Sequence, residues 1–232
     1  LISYPAYWET ELLKKGISRE VNAIGGPCTS YELVFHDQTE VAFCGKSTAV
    51  IKMMKEAMQT SYYHISTTND VIGLESAVAL KNAYALGIAL TIGLVNRRHG
   101  AEAGLHYNSQ AGAFYQATKE MTKLLRLQGA DEDSTVLGIG DLYVTVYGGR
   151  TRKIGILLGE GKTYEEALNI LAGVTLESLV VARRVAKAIY RKSELGMVDL
   201  AEFPLMTHVN DVLDHGKDAE LPWDAFTFDN TK

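Results

Sequence analysis

Residues 71–95 read VIGLESAVALKNAYALGIALTIGLV, the most apolar stretch of the chain, and the only formal charges in it are Glu75 and Lys81. The run is long enough to cross a bilayer. A charge, an amide and several small residues sit in its middle, however, and Asn96, Arg97, Arg98 and His99 follow it with no second span. A helix apolar on all sides is also what the centre of a large helical domain requires, and that is the expectation here. Lys81 is then an anomaly, because lysine is almost never fully buried without a partner. Glu75 lies six residues earlier, a rotation of about 600° that misses the i+3 and i+4 positions where helical side chains meet. Lys81, with Asn82 beside it, must therefore answer to something outside its own helix.

Reading outward, Thr68, Asn69 and Asp70 are candidate caps for the long helix. Upstream the signals are mixed. Glu9 to Ile17 suggests a short helix. Val21 to Ile24 suggests a strand stopped by Gly25-Gly26-Pro27, Thr39 to Cys44 a second strand, and Tyr62 to Thr67 a third. Ser47 is placed to cap a helix ending at Met58. Downstream, strand signals nearly vanish. Helical spacing recurs near residues 109–127, 152–158, 164–171, 177–192 and 205–213, with glycine-bearing turns between several of them. The chain thus reads as mostly α: an α/β piece over 1–69, followed by an all-helical domain over 70–232.

A second informative stretch is residues 138–153, GIGDLYVTVYGGRTRK. Two glycines before Asp141 allow a tight backbone, and two more lead into Arg150, Arg152 and Lys153 at the start of a helix. A helix N-terminus already carries positive dipole charge, so cations there are misplaced unless an anion binds. Exposed amides, the dipole and an arginine fork together suit a phosphate. A solvated basic turn, costing only ~0.3–1 kcal/mol per charge, explains the segment equally well. Lys81 has a bland reading too, a core lysine snorkelling its amine to the surface. Its functional reading is a general acid or an electrostatic clamp on a carbonyl or hydroxyl, with Asp141 as the group that would hold it.

Several classes are excluded by what the sequence carries. With 232 residues, a net charge of −5 and pI near 5.7, the chain has no nucleic-acid footprint. Two cysteines, Cys28 and Cys44, make no disulfide framework, so a cytoplasmic setting is expected. The six histidines show no metal-ligand spacing, and no metal is expected. Gly159-Glu160-Gly161-Lys162-Thr163 ends like a phosphate-binding loop, but position 156 is Ile where the pattern needs glycine, and helical sequence precedes it; a helix–loop–helix turn fits better. No Gly-x-Gly-x-x-Gly follows a strand.

Together these segments resemble the nicotinamide-dependent glycerol-3-phosphate dehydrogenases, from about Val21 to about Ala186. The resemblance rests on three motifs in order: Gly25-Gly26-Pro27 with Glu32, Ala79-Leu80-Lys81-Asn82, and Gly140-Asp141-Leu142 followed by Thr145 and Gly149-Arg150. It implies a two-domain enzyme in which 1–69 is the end of a Rossmann-type dinucleotide-binding domain and 70–232 the substrate domain. It further implies that roughly the first hundred residues of a family member have no counterpart here, the glycine fingerprint and another lysine among them. The chain alone would then be inactive.

The implied reaction reduces dihydroxyacetone phosphate to sn-glycerol 3-phosphate with NADH or NADPH, within glycerophosphate metabolism and phospholipid biosynthesis. By resemblance, Lys81 is the general acid/base, Asn82 and Asp141 orient it and the substrate with Thr145 in support, and Gly26, Gly149, Arg150 and Thr151 complete the substrate site. Ser30, Arg150, Thr175 and Glu177 would contact the cofactor. The sequence departs from the family pattern at Thr151, where asparagine is usual, at Gly149, often serine, and at Cys28, Ser30 and Thr175. The segment 96–109 is longer and more basic than the usual loop. Pairing into a homodimer is compatible with such a helical domain. Two other readings stand beside this one: a two-domain reductase acting on a different hydroxy acid, and a helical dimerisation module without catalysis, in which Lys81 would face solvent.

Overall fold

The computed structural model describes residues 3–101, 104, 106–173 and 176–227. These form a three-stranded sheet and ten α-helices, a mostly helical fold with a small α/β part at its start. The chain divides into two compact units, Leu1–Lys81 with Thr122–Val144, and Asn82–Met121 with Thr145–Lys232.

In the first unit, α1 spans Tyr4–Lys14, several residues earlier than the sequence suggests, because Ser3 caps it by accepting from the Ala6 amide and Pro5 suits its first turn. Strand β1, Ala23–Gly25, runs antiparallel to β2, Thr39–Cys44. Strand β3, Tyr63–Thr68, runs parallel to β2. The crossover between them is α3, Thr48–Met58, with Ser47 as its cap as expected. A short helix not foreseen, α2 (Ser30–Val34), separates β1 from β2. The central strand is buried on both sides. Val41 and Phe43 join Ile65 on one face, and Ala42 and Cys44 join Leu74 on the other, the period of two that a pleated strand imposes. Gly26 has φ 133°, and a Cβ there would stand 3.1 Å from the Val41 Cα. Its glycine is thus required by the sheet itself.

Helix α4, Val71–His99, is the long apolar helix. Of its most apolar eighteen residues, 78% are buried, as a core helix requires. Asp70 caps it, its Oδ1 accepting from the Gly73 amide at 2.8 Å, while Oδ2 accepts from the Asp131 amide, also at 2.8 Å. One carboxylate therefore anchors the start of α4 and the start of α6, Glu132–Tyr147. Glu75 accepts from the Tyr4 amide at 2.7 Å, so the first charge of the run serves the N-terminus of α1.

Helix α6 occupies a stretch to which the residue pattern assigns no helix. Gly138 and Gly140 lie in its interior, and the side chains that follow, Asp141, Leu142 and Val146, are buried. Packing there outweighs the ~1 kcal/mol that each interior glycine costs a helix.

The second unit holds α5 (Tyr107–Arg126, shared with the first), α7 (Gly149–Gly159), α8 (Tyr164–Ile170), α9 (Glu177–Glu194) and α10 (Pro204–His215). Residues 160–163 are the helix–loop–helix turn expected, and Thr163 and Glu166 close a capping box at the start of α8. Helices α4 and α7 meet backbone to backbone. A Cβ on Gly93 would lie 2.1 Å from the Ile156 carbonyl oxygen, and one on Gly159 2.3 Å from that of Leu90.

Helix α10 begins after Phe203, which cannot cap it. Glu120 of α5 does so instead: Oε1 accepts from the Leu205 amide at 2.7 Å and Oε2 from the Met206 amide at 3.0 Å, and Gln116 donates to Oε1 at 2.8 Å. Burial pushes the Glu120 carboxyl up from 4.5 to about 7, although these donors favour its ionised form. A pKa raised by folding means that the native state holds the proton more tightly than the unfolded chain. The associated stability is complete below about pH 4.5 and is lost as pH rises through about 7. Urea unfolding between pH 5 and 8 is expected to show a decline in the wild type that is shallower in Glu120→Gln; equal slopes would refute it.

Candidate functional site

One candidate site lies in the first unit, where Lys81 of α4 meets Asp141 of α6. The Nζ donates to Oδ1 at 2.6 Å. The aspartate side chain is 1% exposed and the lysine side chain 19% exposed. The pair is thus dry on the carboxylate side and open to a ligand on the amine side. Burial raises the Asp141 carboxyl above the ordinary carboxylate range, and the Lys81 ammonium pulls it back down. Each ion makes the other tenable. An unaccompanied carboxylate at this depth would take up a proton rather than stay charged.

The Gly26–Pro27 turn lies against α6, where a Cβ on Gly140 would stand 3.7 Å from the Pro27 Cγ. Cys28, next in the turn, is exposed. Its thiol is raised by partial burial and by the negative charges of Asp141 and Glu32, with Lys81 acting the other way. The turn therefore stands within electrostatic reach of the ion pair. Thr29 donates to Glu32 at 2.6 Å and closes the entry to α2, leaving Ser30 exposed at its first position.

A separate candidate, within the second unit, is the end of α6 and the start of α7. Gly148 is the N-cap of α7 and offers no side chain, and Gly149 takes φ 80°, which favours glycine. Thr151 is buried in the first turn and Arg150 is exposed. The three cations here have separate fates. Arg152 turns back to donate to the Val146 carbonyl at 3.2 Å, satisfying the C-terminal end of α6, where positive charge is favourable. Arg150 and Lys153 make no ion pair among the described residues. The α7 N-terminus thus has free amides, no acidic residue in its first turn and an unengaged guanidinium, an arrangement suited to an oxyanion.

Of the other residues singled out from sequence, Asn82 follows Lys81 in α4 and is half-buried, and Thr145 lies four residues after Asp141 in α6. Glu177 is exposed at the first position of α9, and Thr175 lies outside the described residues. No group of three or more His, Cys, Asp or Glu is placed to hold a metal among the described residues. Sequence reasoning missed Glu120. A glutamate in an amphipathic helix looks like surface, and only the absent cap of α10 could have signalled it.

The architecture is that of solved glycerol-3-phosphate dehydrogenases. The Coxiella burnetii enzyme superposes with a TM-score of 0.73 at 22% identity, over 94% of this chain and 62% of that one. Residues 70–223 match the family described as NAD-dependent glycerol-3-phosphate dehydrogenase C-terminus, and the chain belongs to that family. Among curated relatives, it is 32% identical over 185 residues to the NADP(+)-dependent glycerol-3-phosphate dehydrogenase of Archaeoglobus fulgidus, covering 78% of this chain and 53% of the relative. It is 28% identical over 220 residues to the glycerol-3-phosphate dehydrogenase [NAD(P)+] of a Thermoanaerobacter species, covering 93% of this chain and 61% of the relative. The chain therefore spans little more than half the length of these relatives.

Proposed function

We propose that this chain is the substrate-binding part of a glycerol-3-phosphate dehydrogenase that reduces dihydroxyacetone phosphate to sn-glycerol 3-phosphate. The observation that carries the reading is the buried Asp141 carboxylate holding Lys81 at 2.6 Å with the amine partly exposed. Residues 1–69 are read as the end of the dinucleotide-binding domain and 70–232 as the substrate domain, consistent with a family match that starts at residue 70. The relatives named for NADP(+) or NAD(P)+ support a nicotinamide cofactor; a cytoplasmic setting and a place in glycerophosphate metabolism follow only from the proposed reaction.

The residues present fit a nicotinamide cofactor only in part. The sequence carries no strand followed by Gly-x-Gly-x-x-Gly to hold a pyrophosphate. Ser30 is in the first unit while Arg150 and Glu177 are in the second. By resemblance, Ser30, Arg150, Thr175 and Glu177 are the residues that would contact the cofactor. When bound, the cofactor supplies the hydride that adds to the substrate carbonyl carbon.

What the chain supplies is the proton and the grip. Lys81 Nζ gives a proton to the carbonyl oxygen as it becomes a hydroxyl, and recovers one from solvent. Asp141 holds the amine at one orientation and balances its charge before and after transfer. Asn82 and Thr145 would bond the substrate oxygens. Arg150 and the α7 amides would hold the phosphate, with Gly149 shaping the approach and Thr151 offering one hydroxyl where the family has an amide. Gly26 supports the turn beside Lys81. In the reverse direction Lys81 takes the hydroxyl proton.

Arg150→Ala tests the phosphate grip. In the active enzyme, KM for dihydroxyacetone phosphate is expected to rise about 10–100-fold, the loss of one charge-assisted hydrogen bond of ~1.5–3 kcal/mol. A KM within twofold of wild type would remove Arg150 from the site. The reading as a dimerisation module without catalysis requires Lys81 to face solvent, and the salt bridge to a buried aspartate speaks against it. Homodimerisation of an enzyme remains compatible with the same fold. A different hydroxy-acid substrate would leave KM indifferent to Arg150.

A further inference from the structure

Helix α9 carries Arg183, Lys187 and Arg191 at intervals of four residues, one face of the helix. They line a groove of about 450 Å³ against α10 in the second unit. A row of three cations runs against the net charge of −5. Arg191, in the last turn, is explained by the helix dipole. Lys187 and Arg183, one and two turns earlier, are not.

Arg183 is held in place. It donates to Asp214 at 2.6 Å and to the Tyr164 hydroxyl at 3.0 Å, and its guanidinium carbon stands 4.6 Å from the Tyr164 ring centroid. The Asp214 charge is thereby balanced. Asp211, on the same helix as Asp214, is balanced by Lys217 at 3.2 Å. Lys187 and Arg191 make no ion pair among the described residues, which leaves Glu194 as the one unbalanced acid among the groove residues.

The second, independent observation is Asn210. It is 8% exposed, it lines the same groove, and its side-chain amide makes no hydrogen bond among the described residues. Its amide atoms are not enclosed without a partner; they reach the surface of the groove, where water or a ligand oxygen completes their hydrogen bonding. The Tyr190 phenol is beside it in the groove lining.

We infer that this groove binds a small phosphate monoester at a position separate from the α7 N-terminus. Lys187 and Arg191 take the phosphate oxygens, and Asn210 and Tyr190 bond the ester and hydroxyl oxygens of the carrier. The inference does not depend on the proposed reaction, because none of these residues belongs to the substrate site argued for it.

The test is a titration of the ¹⁵N-labelled protein with glycerol 2-phosphate, followed at the Asn210 side-chain amide signals, with ionic strength held constant in chloride. The expected result is a saturable shift that weakens at least tenfold in Lys187→Ala/Arg191→Ala and persists unchanged in Arg150→Ala. Both substituted side chains are exposed, and unchanged signals elsewhere in the spectrum verify the fold of the variant. Inorganic phosphate alone is expected to bind more weakly, since it lacks the carrier oxygens. Three results would overturn the inference: Asn210 signals that stay put or drift without saturation, a shift that survives the double substitution, or a shift abolished by Arg150→Ala.

Discussion

Replacing Lys81 by methionine is expected to lower kcat for dihydroxyacetone phosphate reduction by about 10²–10⁴-fold, the usual contribution of a positioned general acid. The substitution also strips a buried carboxylate of its partner, which by itself costs ~3–5 kcal/mol of stability. Lost activity could then reflect lost fold. Asp141→Asn in the same molecule separates the two effects: Lys81→Met/Asp141→Asn is expected to recover much of the stability, because a neutral amide needs no ammonium, and none of the activity. Steady-state kinetics alongside urea unfolding decide it. A kcat within tenfold of wild type in the single variant, or activity returning with stability in the double, would take the proton-transfer role away from Lys81.

The second large effect is structural and has an unusual sign. Alanine in place of a glycine with helical backbone ordinarily gains stability, up to ~1 kcal/mol in a helix interior such as that around Gly93 and less at a last residue such as Gly159. At Gly93 and Gly159 it should lose stability. The new methyl would stand 2.1 Å from the Ile156 oxygen in the first case and 2.3 Å from the Leu90 oxygen in the second. These neighbours are backbone, so no rotamer change relieves the contact, and α4 and α7 must separate. Overpacking of this kind costs ~1–3 kcal/mol and occasionally more. Gly93→Ala and Gly159→Ala are each expected to lower the urea midpoint, and Gly93→Val to lower it further. Gly100→Ala is not a suitable control because of its φ of 83°. Gly112→Ala, which meets only the Trp223 ring edge at 3.0 Å, is expected to be milder. A Gly93→Ala variant as stable as wild type would contradict the close crossing.

Much of this architecture was legible because burial imposes periodicity. The strand Thr39–Cys44 and the helix Thr48–Met58 with its Ser47 cap stand where residue patterns place them. The long helix was legible for the same reason, and Lys81 stood out in it because a charge in an apolar run needs a compensating partner. Asp141 was reachable from its chemistry, as the acid a buried lysine wants. Its surroundings were not. The residue pattern around Gly138 and Gly140 assigns no helix, since local glycine propensity opposes one, and only the tertiary burial of Leu142 and Val146 outweighs it. The strand expected over Val21–Ile24 sits later, at Ala23–Gly25, because its register is set by pairing with Phe43 and its neighbours rather than by its own residues. The roles of Arg152 and Glu120 were hidden for a related reason. One serves the helix before its own and the other a helix far along the chain, and a cap supplied from elsewhere leaves no local pattern.

Asp70 gives the ion pair a common origin. Its two oxygens fix the amides of Gly73 and Asp131, and the chain counts eleven residues from Asp70 itself to Lys81 and ten from Asp131 to Asp141. At ~1.5 Å per residue the two climbs are about 16 and 15 Å, so both side chains arrive at nearly the same height. The carboxylate works as the zero mark of a two-armed ruler. Residue identity along either arm is free to drift so long as the face pattern survives. Arm length is not, because one inserted or deleted residue turns the tip by about 100° and parts the lysine from its aspartate.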